Sequence, residues 1–340
     1  MRIGLTYDLK DKVPVSHGQP DDALEEYDSK ETVNGIEAAL SALGHSVVCL
    51  GGGRDFLTSV LQEKVDIVFN ISEGLGNYRS REAQVPGVLE MLQIPYTGSD
   101  PLCLAVCLDK PLTKQLIADA GIATPKWQVV SDKNHLHSLN WELFPVPAFV
   151  KPVHEGSSKG VRFVSRIDRR EDIARVAGDL LDYYRQPVLV EEFMPGDEFT
   201  VGVVGNASPG VVGIMRIVPK TNKADFVYSL EVKRDWEKLV EYECPANLDE
   251  SILDKIRKAS VKTFEVLGCR DFARIDFRLD KNGTPNFLEI NPLPGLNPRT
   301  SDLTIMNRMM GNSYENLISS ILNAATKRYS HELKKSSPHI

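Results

Sequence analysis

The feature that most constrains the fold of this chain is a pair of short strand patterns on either side of an Asn282-Gly283 dipeptide. Asn-Gly is typical of two-residue hairpin turns. The segment at 273–279 alternates apolar and charged residues, which predicts a strand with one apolar and one charged face. The sequence therefore predicts an antiparallel hairpin that extends over about residues 272–291.

The two-residue turn fixes the expected register of this hairpin. Counting outward from the turn puts Asp276 opposite Glu289. The same count puts Arg274 opposite Asn291 and leaves Phe287 on the face of Glu289. Directly opposed residues share a face, and two facing carboxylates repel. A divalent cation between them would explain the arrangement, because Mg²⁺ takes oxygen ligands from one or two carboxylates and from nucleotide phosphates. The alternative is a charged face in water.

Length and composition exclude several classes of protein. The 340 residues correspond to two or three domains. A formal net charge of −7 without a long basic run argues against nucleic acid as a partner. No apolar stretch approaches the roughly 18 residues of a membrane helix, and the first residues lack a secretory signal. The five cysteines form no CxxC, and Cys103 and Cys107 are expected in the core. We expect a soluble, cytoplasmic protein.

The order of strand and helix patterns divides the chain in two. Up to about residue 100 strands alternate with helices, which predicts a parallel α/β domain. From about residue 125 strands are more frequent, which predicts one or two α+β units with largely antiparallel sheets. We expect one continuous helix at 101–120 and strands at 161–164 and 226–232.

A phosphate site is predicted where Lys151 ends an apolar strand and HEGSSKG follows at 154–160. With the strand expected at 161–164, this loop would form the tip of a hairpin that closes over phosphates. The alternative is an ordinary exposed hairpin loop. The lysine favours the phosphate interpretation, because a buried ammonium needs an anion.

The segment VLVEEFMPGDEFTV at 188–201 suggests a site for adenine and ribose. Strand backbone at 192–194 would contact the adenine edge, and a carboxylate would bind the ribose hydroxyls. Phe193 and Met194 are equally compatible with the core. Glu191 and Glu192 cannot both face an apolar core without a large desolvation cost, so at least one is functional or exposed.

Five motifs in this order resemble the ATP-grasp superfamily and, within it, the D-alanine–D-alanine ligase family. The motifs are IPYTGSDPLCLAVCLDK (94–110), KPVHEGSSKG (151–160), VEEFMPGDEFTV (190–201), ARIDF (273–277) and LEINPLPGL (288–296). The resemblance extends from about residue 2 to about residue 325, and the order of the motifs is what makes it specific. It implies an ATP-grasp fold of α/β and α+β parts with an N-terminal parallel α/β domain.

The resemblance also implies roles for individual residues. The implied ATP-binding residues are Lys110, Lys151, Glu155, Ser157, Ser158, Glu191, Glu192, Phe193, Met194, Glu198 and Lys233. The implied catalytic residues are Arg274, Gly295, Ser157 and Lys233. The implied ligands of two Mg²⁺ or Mn²⁺ ions are Asp276, Glu289 and Asn291. The hairpin register had already placed these three residues together.

The chain departs from the family pattern where the family binds its amino-acid substrates. The glutamate that holds the first substrate's ammonium has no clear counterpart, and Glu25, Glu26 and Glu31 are the alternatives. The other substrate candidates are Glu73, Arg79, Arg81, Arg234, Arg299, Thr300 and Ser301. An added arginine would bind a second carboxylate in bidentate fashion. The alternative is that Arg79, Arg81 and Arg234 are solvated surface residues.

The predicted function is an ATP- and Mg²⁺-dependent ligase that joins two amino acids through an acyl phosphate, as in peptidoglycan precursor synthesis. A ligase for a different amino-acid or dipeptide pair, a phosphotransferase and a catalytically silent ATP-binding protein are the alternatives. The expected domains are 1–103 (α/β, substrate), 104–187 (ATP-grasp, with the flap), 188–325 (ATP-grasp, with the hairpin) and a polar tail at 326–340. The resemblance makes a homodimer plausible, and we expect no nucleic-acid or membrane partner.

Overall fold

The first part of the chain builds a three-stranded parallel sheet with strand order β2-β1-β3. The computed structural model describes residues 1–14, 18–220 and 226–330, so most of the predicted tail lies outside the described residues. The strands are β1 (Arg2–Thr6), β2 (Ser46–Gly51) and β3 (Ile67–Asn70), and the helices are α1 (Lys30–Ala42), α2 (Gly53–Gln62) and α3 (Gln84–Met91). The predicted parallel α/β organisation is confirmed.

Local signals in the sequence set the bounds of α1. The Ser29 hydroxyl caps its first turn by accepting a hydrogen bond from the Thr32 N–H. Gly44, with φ +84°, ends the helix in the left-handed conformation that suits glycine. Ile36 and Leu40, one turn apart, are fully buried and turn the apolar face of the helix towards the core.

The segment predicted as one helix at 101–120 forms two helices, α4 (Pro101–Leu108) and α5 (Lys110–Asp119). They meet at Asp109, whose ψ of 89° is not helical. Pro111 has no N–H to continue the hydrogen bonding of α4, and the Asp109 carboxylate caps α5 by accepting from the Leu112 N–H at 3.2 Å. The break makes Lys110 the first residue of α5.

Two antiparallel sheets follow, as predicted. The four-stranded sheet has the order β4-β7-β5-β6, and the five-stranded sheet has the order β10-β9-β8-β11-β12. The first consists of β4 (Trp127–Val130), β5 (Ala148–Pro152), β6 (Arg166–Ile167) and β7 (Val188–Glu192), with helices α6 (Lys133–Ser138) and α7 (Arg170–Tyr184). The second consists of β8 (Glu198–Val204), β9 (Gly210–Pro219), β10 (Val240–Glu243), β11 (Phe272–Leu279) and β12 (Pro285–Asn291). The remaining helices are α8 (Leu230–Arg234), α9 (Trp236–Leu239), α10 (Glu250–Val266), α11 (Asp302–Met309) and α12 (Tyr314–Arg328).

Two predicted strands are wrong, and side-chain capping explains both. The segment at 161–164 runs into a 3-10 turn at Phe163–Ser165, in which the Ser165 hydroxyl accepts from the Arg162 N–H at 2.9 Å. The predicted hairpin flap is therefore absent, and β5 pairs with β6 instead. The segment at 226–232 enters α8, because the Ser229 hydroxyl caps the helix at the Val232 N–H.

Across the described ranges of the chain, no helix has the length and apolar character needed to cross a membrane.

Candidate active site

A cleft with about 740 Å³ of empty volume is lined by residues of the four-stranded and the five-stranded sheets. Ten of the predicted ATP-binding residues line it: Lys110, Lys151, Glu155, Ser158, Glu191, Glu192, Phe193, Met194, Glu198 and Lys233. Asp276 and Glu289 line the same cleft, whereas Ser157 and Asn291 are not among its lining residues.

Three lysines converge beside this cleft: Lys114 and Lys151 are buried, and Lys110 is partly exposed. Lys110 and Lys114 lie one turn apart on α5, and Lys151 lies in β5. The Glu191 carboxylate is 2.8 Å from the ammonium of Lys151 and 2.8 Å from that of Lys114. Glu191 is therefore neither exposed nor in an apolar environment, but is buried between two cations. Sequence reasoning missed Lys114, although its spacing of four residues from Lys110 on a helix places it on the same face.

Glu289 faces two of these lysines from β12. Its carboxylate lies 3.6 Å from Lys151 and 3.9 Å from Lys110. Burial alone raises the pKa of Glu289, but the charges of Lys110 and Lys151 outweigh burial and hold the pKa at about 2. The carboxylates of Glu191 and Glu289 likewise raise the pKa of Lys151, against the effect of burial. With Lys114, three cations face two carboxylates, so this side of the cleft favours a further anion.

The predicted hairpin register is confirmed at the two pairs that concern the site, although the turn differs from the prediction. Asp276 lies opposite Glu289, and Arg274 lies opposite Asn291. The loop contains three residues, 281–283, instead of two. The Asp280 carboxylate shapes it by accepting from the N–H groups of residues 282 and 284, each at 2.8 Å. The longer loop shifts the register of the first strand pairs by one residue.

A bulge at Leu288 restores the register. Phe277 pairs with Phe287, whereas Asp276 pairs with Glu289, so Leu288 is the extra residue. The prediction that Phe287 shares the face of Glu289 is wrong. Phe287 is fully buried in the apolar core, with its ring centroid 6.2 Å from that of Phe277. Leu288, which was predicted on the opposite face, lines the cleft beside Glu289.

Arg274 is held between two carboxylates. It donates to the two oxygens of Asp276 at 3.3 and 3.1 Å, and its other terminal nitrogen lies 3.3 Å from Asp302. Burial lowers the pKa of Arg274, but the neighbouring Asp276 and Asp302 raise it by more, so the guanidinium stays charged. The Thr200 hydroxyl also donates to Asp276. Sequence reasoning missed Asp302, which directly follows the predicted substrate segment at 299–301.

Cations and an aromatic ring pack together in the segment predicted to bind adenine. The guanidinium carbons of Arg278 and Arg166 lie 4.3 and 4.8 Å from the centroid of the Phe193 ring. Phe149 lies beside the same ring, at 6.3 Å between centroids. Arg278 also lies 3.4 Å from Glu198, whose pKa burial raises to about 7. The sequence did not indicate Phe149 and Arg278, which both line the cleft.

A buried ion network connects the loop at 154–160 to the first part of the chain. Arg81 forms a bidentate pair with Glu26 at 3.0 and 2.6 Å and reaches Glu155 at 3.3 Å. The Lys159 ammonium lies 2.5 Å from Glu155 and 3.2 Å from Glu26. All four side chains are buried. Arg81 is therefore not the solvated surface residue that one interpretation of the sequence expected.

The loop itself is a sharp turn. Ser157 and Ser158 have φ values of +49° and +59°, in the left-handed region. Gly160, with φ +75°, donates its N–H to Asp22 at 2.9 Å. The Lys110 ammonium donates to the carbonyl of residue 155, so the loop also contacts the lysine side of the cleft.

The other candidate arginines also have acidic partners. The pairs are Arg79 with Asp109 at 2.9 Å, Arg234 with Glu25 at 2.5 Å and Arg299 with Glu31 at 2.6 Å. With Arg81, all four arginines among the substrate candidates are paired within the chain. The side chains of Arg79 and Arg234 are 66% and 45% exposed, which agrees with the alternative interpretation of these two as surface arginines.

Glu73 lies among other acids in the first part of the chain. Burial raises its pKa, and the nearby carboxylates of Glu82 and Glu26 raise it further. Glu82 is similarly affected, with a pKa raised to about 7 mainly by burial. This region therefore concentrates carboxyl groups whose charged forms are disfavoured by burial and by one another.

The predicted residues Gly295, Thr300 and Ser301 belong to one loop folded around Asn297. The Asn297 side chain accepts from the Thr300 N–H at 3.1 Å, and the Asn297 N–H donates to the Ser301 hydroxyl at 2.9 Å. A side chain at Gly295 would place its Cβ 2.9 Å from that hydroxyl. The loop leads directly into Asp302 and so to Arg274.

This fold and this cleft define an ATP-dependent carboxylate–amine ligase of the ATP-grasp type. Comparison with known proteins agrees with that class. The family model described as D-ala D-ala ligase C-terminus matches residues 116–323. A D-alanine–D-alanine ligase of Aquifex aeolicus is 37% identical over 295 residues, which cover 86% of this chain and 94% of that protein. An uncharacterized protein, y4sG, of Sinorhizobium fredii is 33% identical over 303 residues, which cover 86% of this chain and 87% of that protein.

Solved structures share the fold. A Bacillus anthracis D-alanine–D-alanine ligase complexed with ATP superposes with a TM-score of 0.73 at 22% identity, over 98% of this chain and 99% of that one. The VanG D-Ala:D-Ser ligase of Enterococcus faecalis gives 0.72 at 20% identity, over 95% and 99%. The chain belongs to the D-alanine–D-alanine ligase family. The predicted fold and the predicted enzyme class, an ATP-dependent peptide ligase, are confirmed.

Proposed function

We propose that this chain uses ATP and Mg²⁺ to join two small neutral amino acids, D-alanine or a close analogue first, through an acyl phosphate. One observation carries the proposal. Lys110 and Lys151 share a single cleft with the opposed carboxylates Asp276 and Glu289. Arg274 forms an ion pair with Asp276 beside the same cleft. Such a cleft offers cations for phosphates, oxygen ligands for a metal and a charged donor for an oxyanion.

ATP extends along the cleft in this proposal. The base lies at 192–194, beside the Phe193 ring and Arg278. Glu192 or Glu198 accepts from the ribose hydroxyls, and Lys110 and Lys151 hold the phosphates. The Phe193 N–H already donates to the carbonyl of residue 147 at 2.9 Å, so base recognition uses the other groups of the segment.

The donor set at the hairpin fits Mg²⁺. Asp276 and Glu289 provide carboxylate oxygens, and the low pKa of Glu289 keeps its carboxylate ionised. The Asn291 side-chain oxygen accepts from the Leu293 N–H at 3.0 Å and has a second lone pair for a cation. These three residues would hold the metal, two ions in our proposal. When bound, the ions neutralise negative charge that develops on the phosphates.

The chemistry has two steps. A carboxylate oxygen of the first amino acid attacks the γ-phosphorus of ATP, the bond to ADP breaks, and an acyl phosphate forms. The amine of the second amino acid then attacks the acyl carbon, phosphate leaves, and the amine proton is released. Arg274 and the Gly295 N–H stabilise the oxyanion of this second step, and one such donor typically contributes ~3 kcal/mol. The loop at 154–160, held by Arg81, excludes water that would hydrolyse the acyl phosphate.

The charges around the substrate segments support small neutral substrates. Arg79, Arg81, Arg234 and Arg299 already pair with acids of the chain, as described above. The ammonium of the first amino acid binds in the acidic region of Glu73, where a bound cation would favour the ionised carboxylate. Relatives named D-alanine–D-alanine ligases support D-alanine as that substrate. By the same analogy we place the reaction in the cytoplasm and expect a homodimer.

The test is phosphate release from ATP and Mg²⁺ across a panel of D- and L-amino acids, with mass spectrometry of the products. Release that depends on D-alanine, with a dipeptide product, supports the proposal. An amide from another pair would contradict the substrate assignment. Acyl phosphate trapped by hydroxylamine without an amide would indicate a phosphotransferase, and no turnover with any substrate would indicate a silent ATP-binding protein.

Variants test the metal assignment separately. Asp276→Asn and Glu289→Gln should each lower kcat by about a hundredfold or more, because one metal ligand is lost. Glu241→Gln, at an exposed acid on β10, is the matched control and should leave kcat unchanged. Unaltered ATP turnover in both hairpin variants would show that these carboxylates do not hold the metal.

A further inference from the structure

Three buried thiols meet away from the cleft, and their sulfurs surround a common point. Cys103 and Cys107 lie one turn apart on α4, and Cys269 follows α10, where Gly268 with φ +68° turns the chain. The Sγ atom of Cys103 lies 3.9 Å from that of Cys107 and 3.6 Å from that of Cys269. All three sulfurs lie within 4.8 Å of one another, and all three residues are buried.

These separations match those of thiolates around one metal ion. A triangle with sides of 3.9 and 3.6 Å and a third side of at most 4.8 Å has its centre about 2.1 to 2.4 Å from each corner. A Zn–S bond is about 2.3 Å long. No rearrangement of the backbone is therefore needed for one ion to contact all three sulfurs.

The Ser99 hydroxyl could provide a fourth ligand through its oxygen atom. The Ser99 hydroxyl is buried and lies beside both Cys103 and Cys269. It accepts from the Arg270 N–H at 3.0 Å, which fixes its position. Asp100 caps the start of α4 by accepting from the Cys103 N–H at 2.9 Å, which fixes the backbone position of the first cysteine.

Apolar packing would explain why each cysteine is buried. It does not explain why the three thiols lie next to one another. A free cysteine is a common core residue because it behaves as a small apolar side chain. Here, however, two segments separated by more than 160 residues bring three thiols and a hydroxyl to one point. Thiolates at this spacing select soft ions such as Zn²⁺ over Mg²⁺.

We propose that Cys103, Cys107 and Cys269, with Ser99 beside them, form a structural site for one thiophilic ion of the Zn²⁺ type. The ion would join α4, which precedes the cleft lysine Lys110, to the segment that begins β11. The site is distinct from the hairpin carboxylates, and the proposal does not depend on the proposed function.

Metal retention tests the proposal directly. A Cys49→Ser/Cys244→Ser variant keeps only the three thiols in question, because Cys49 and Cys244 are the other two cysteines of the chain. After incubation with Zn²⁺ or Cd²⁺ and gel filtration, this variant and the wild-type chain should each retain one equivalent of metal by elemental analysis. Cd²⁺ should also produce a thiolate-to-metal charge-transfer band in the ultraviolet, and binding should raise the melting temperature.

Cys103→Ser and Cys269→Ser should lose more than about tenfold in metal affinity. Should either variant fail to fold, the stoichiometry and the charge-transfer band of the three-thiol variant decide the matter. Absence of retained metal and of the band in that variant would overturn the proposal. So would a thiol count showing that two of the three cysteines form a disulfide in the purified protein.

Discussion

Glu191→Gln tests the charge arrangement of the cleft most directly. The Glu191 carboxylate is 3% exposed and lies 2.8 Å from both Lys114 and Lys151. The substitution keeps the shape of the side chain but removes the charge that balances two buried ammonium groups. Lys151 retains Glu289 at 3.6 Å, whereas Lys114 retains a hydrogen bond to the Thr124 hydroxyl at 2.9 Å. We therefore expect a loss of about 3–5 kcal/mol in the free energy of unfolding near neutral pH, mostly through Lys114.

The pH dependence separates this charge effect from a packing defect. Burial already lowers the pKa of Lys114 from its ordinary 10.5, and Glu191 opposes that change. Without Glu191 the pKa falls further, so the folded state binds fewer protons than the unfolded state. Each unit of lowering costs about 1.4 kcal/mol while the unfolded lysine is protonated. The deficit of the variant should therefore shrink as the pH rises towards 10.5.

The assay is urea unfolding followed by circular dichroism near neutral pH and at about pH 9.5. Glu192→Gln is the matched control, because the neighbouring side chain lines the same cleft and is only half-buried. It should change stability by no more than about 0.5 kcal/mol. A loss below about 1 kcal/mol for Glu191→Gln would refute the reasoning, as would a loss that is the same at both pH values.

Three further predictions concern the loop at 154–160 and the segment at 188–201, which is proposed to bind the adenosine part of ATP. Arg81→Met should cost about 3–5 kcal/mol in thermal or urea unfolding and raise KM for ATP, since Glu26 and Glu155 then lose one of the two cations that pair with them. Gly160→Ala should lower the melting temperature, because φ is +75° and a Cβ would lie 2.3 Å from the Pro152 ring; an unchanged melting curve would contradict this geometry. Because desolvation raises the pKa of the partly buried Glu198 to about 7, the wild-type chain should lose stability between pH 5 and pH 8. Urea unfolding at both pH values should show a smaller loss in E198Q.

The hairpin shows how a correct prediction can follow from an incorrect intermediate step. The sequence predicted a two-residue turn and no bulge, and the chain has a three-residue loop and a bulge at Leu288. The two differences cancel at Asp276 and Glu289, so the facing carboxylates were predicted correctly. They do not cancel between the loop and the bulge, so Phe287 was assigned to the wrong face. Local patterns set the faces of strands, but the Asp280 side chain determined the turn.

Capping side chains also account for the two wrong strands. Apolar residues at 161–164 and 226–232 are compatible with β structure, and the alternation pattern gave no reason to reject it. Ser165 and Ser229 instead accept from nearby N–H groups and stabilise the first turn of a short helical segment. These hydrogen bonds are local and could have been suspected from the serines. However, neither serine belongs to a capping pattern that is specific enough in sequence to outweigh the strand pattern.

The pairing of the substrate-segment arginines could not be predicted, because it depends on contacts between distant parts of the chain. Arg81 meets Glu26 across 55 residues, and Arg234 meets Glu25 across 209. From the sequence alone, an arginine at a position where the family has none suggests a binding site for a second substrate carboxylate. In the fold, Arg81 and Arg234 instead form ion pairs with Glu26 and Glu25, which lie in the segment after β1. Each arginine that departs from the family pattern is therefore paired with an acid of the chain, a glutamate for Arg81, Arg234 and Arg299 and Asp109 for Arg79. Under the proposed function, substrate choice would depend on the carboxyl groups around Glu73, whose charged forms a bound ammonium would favour.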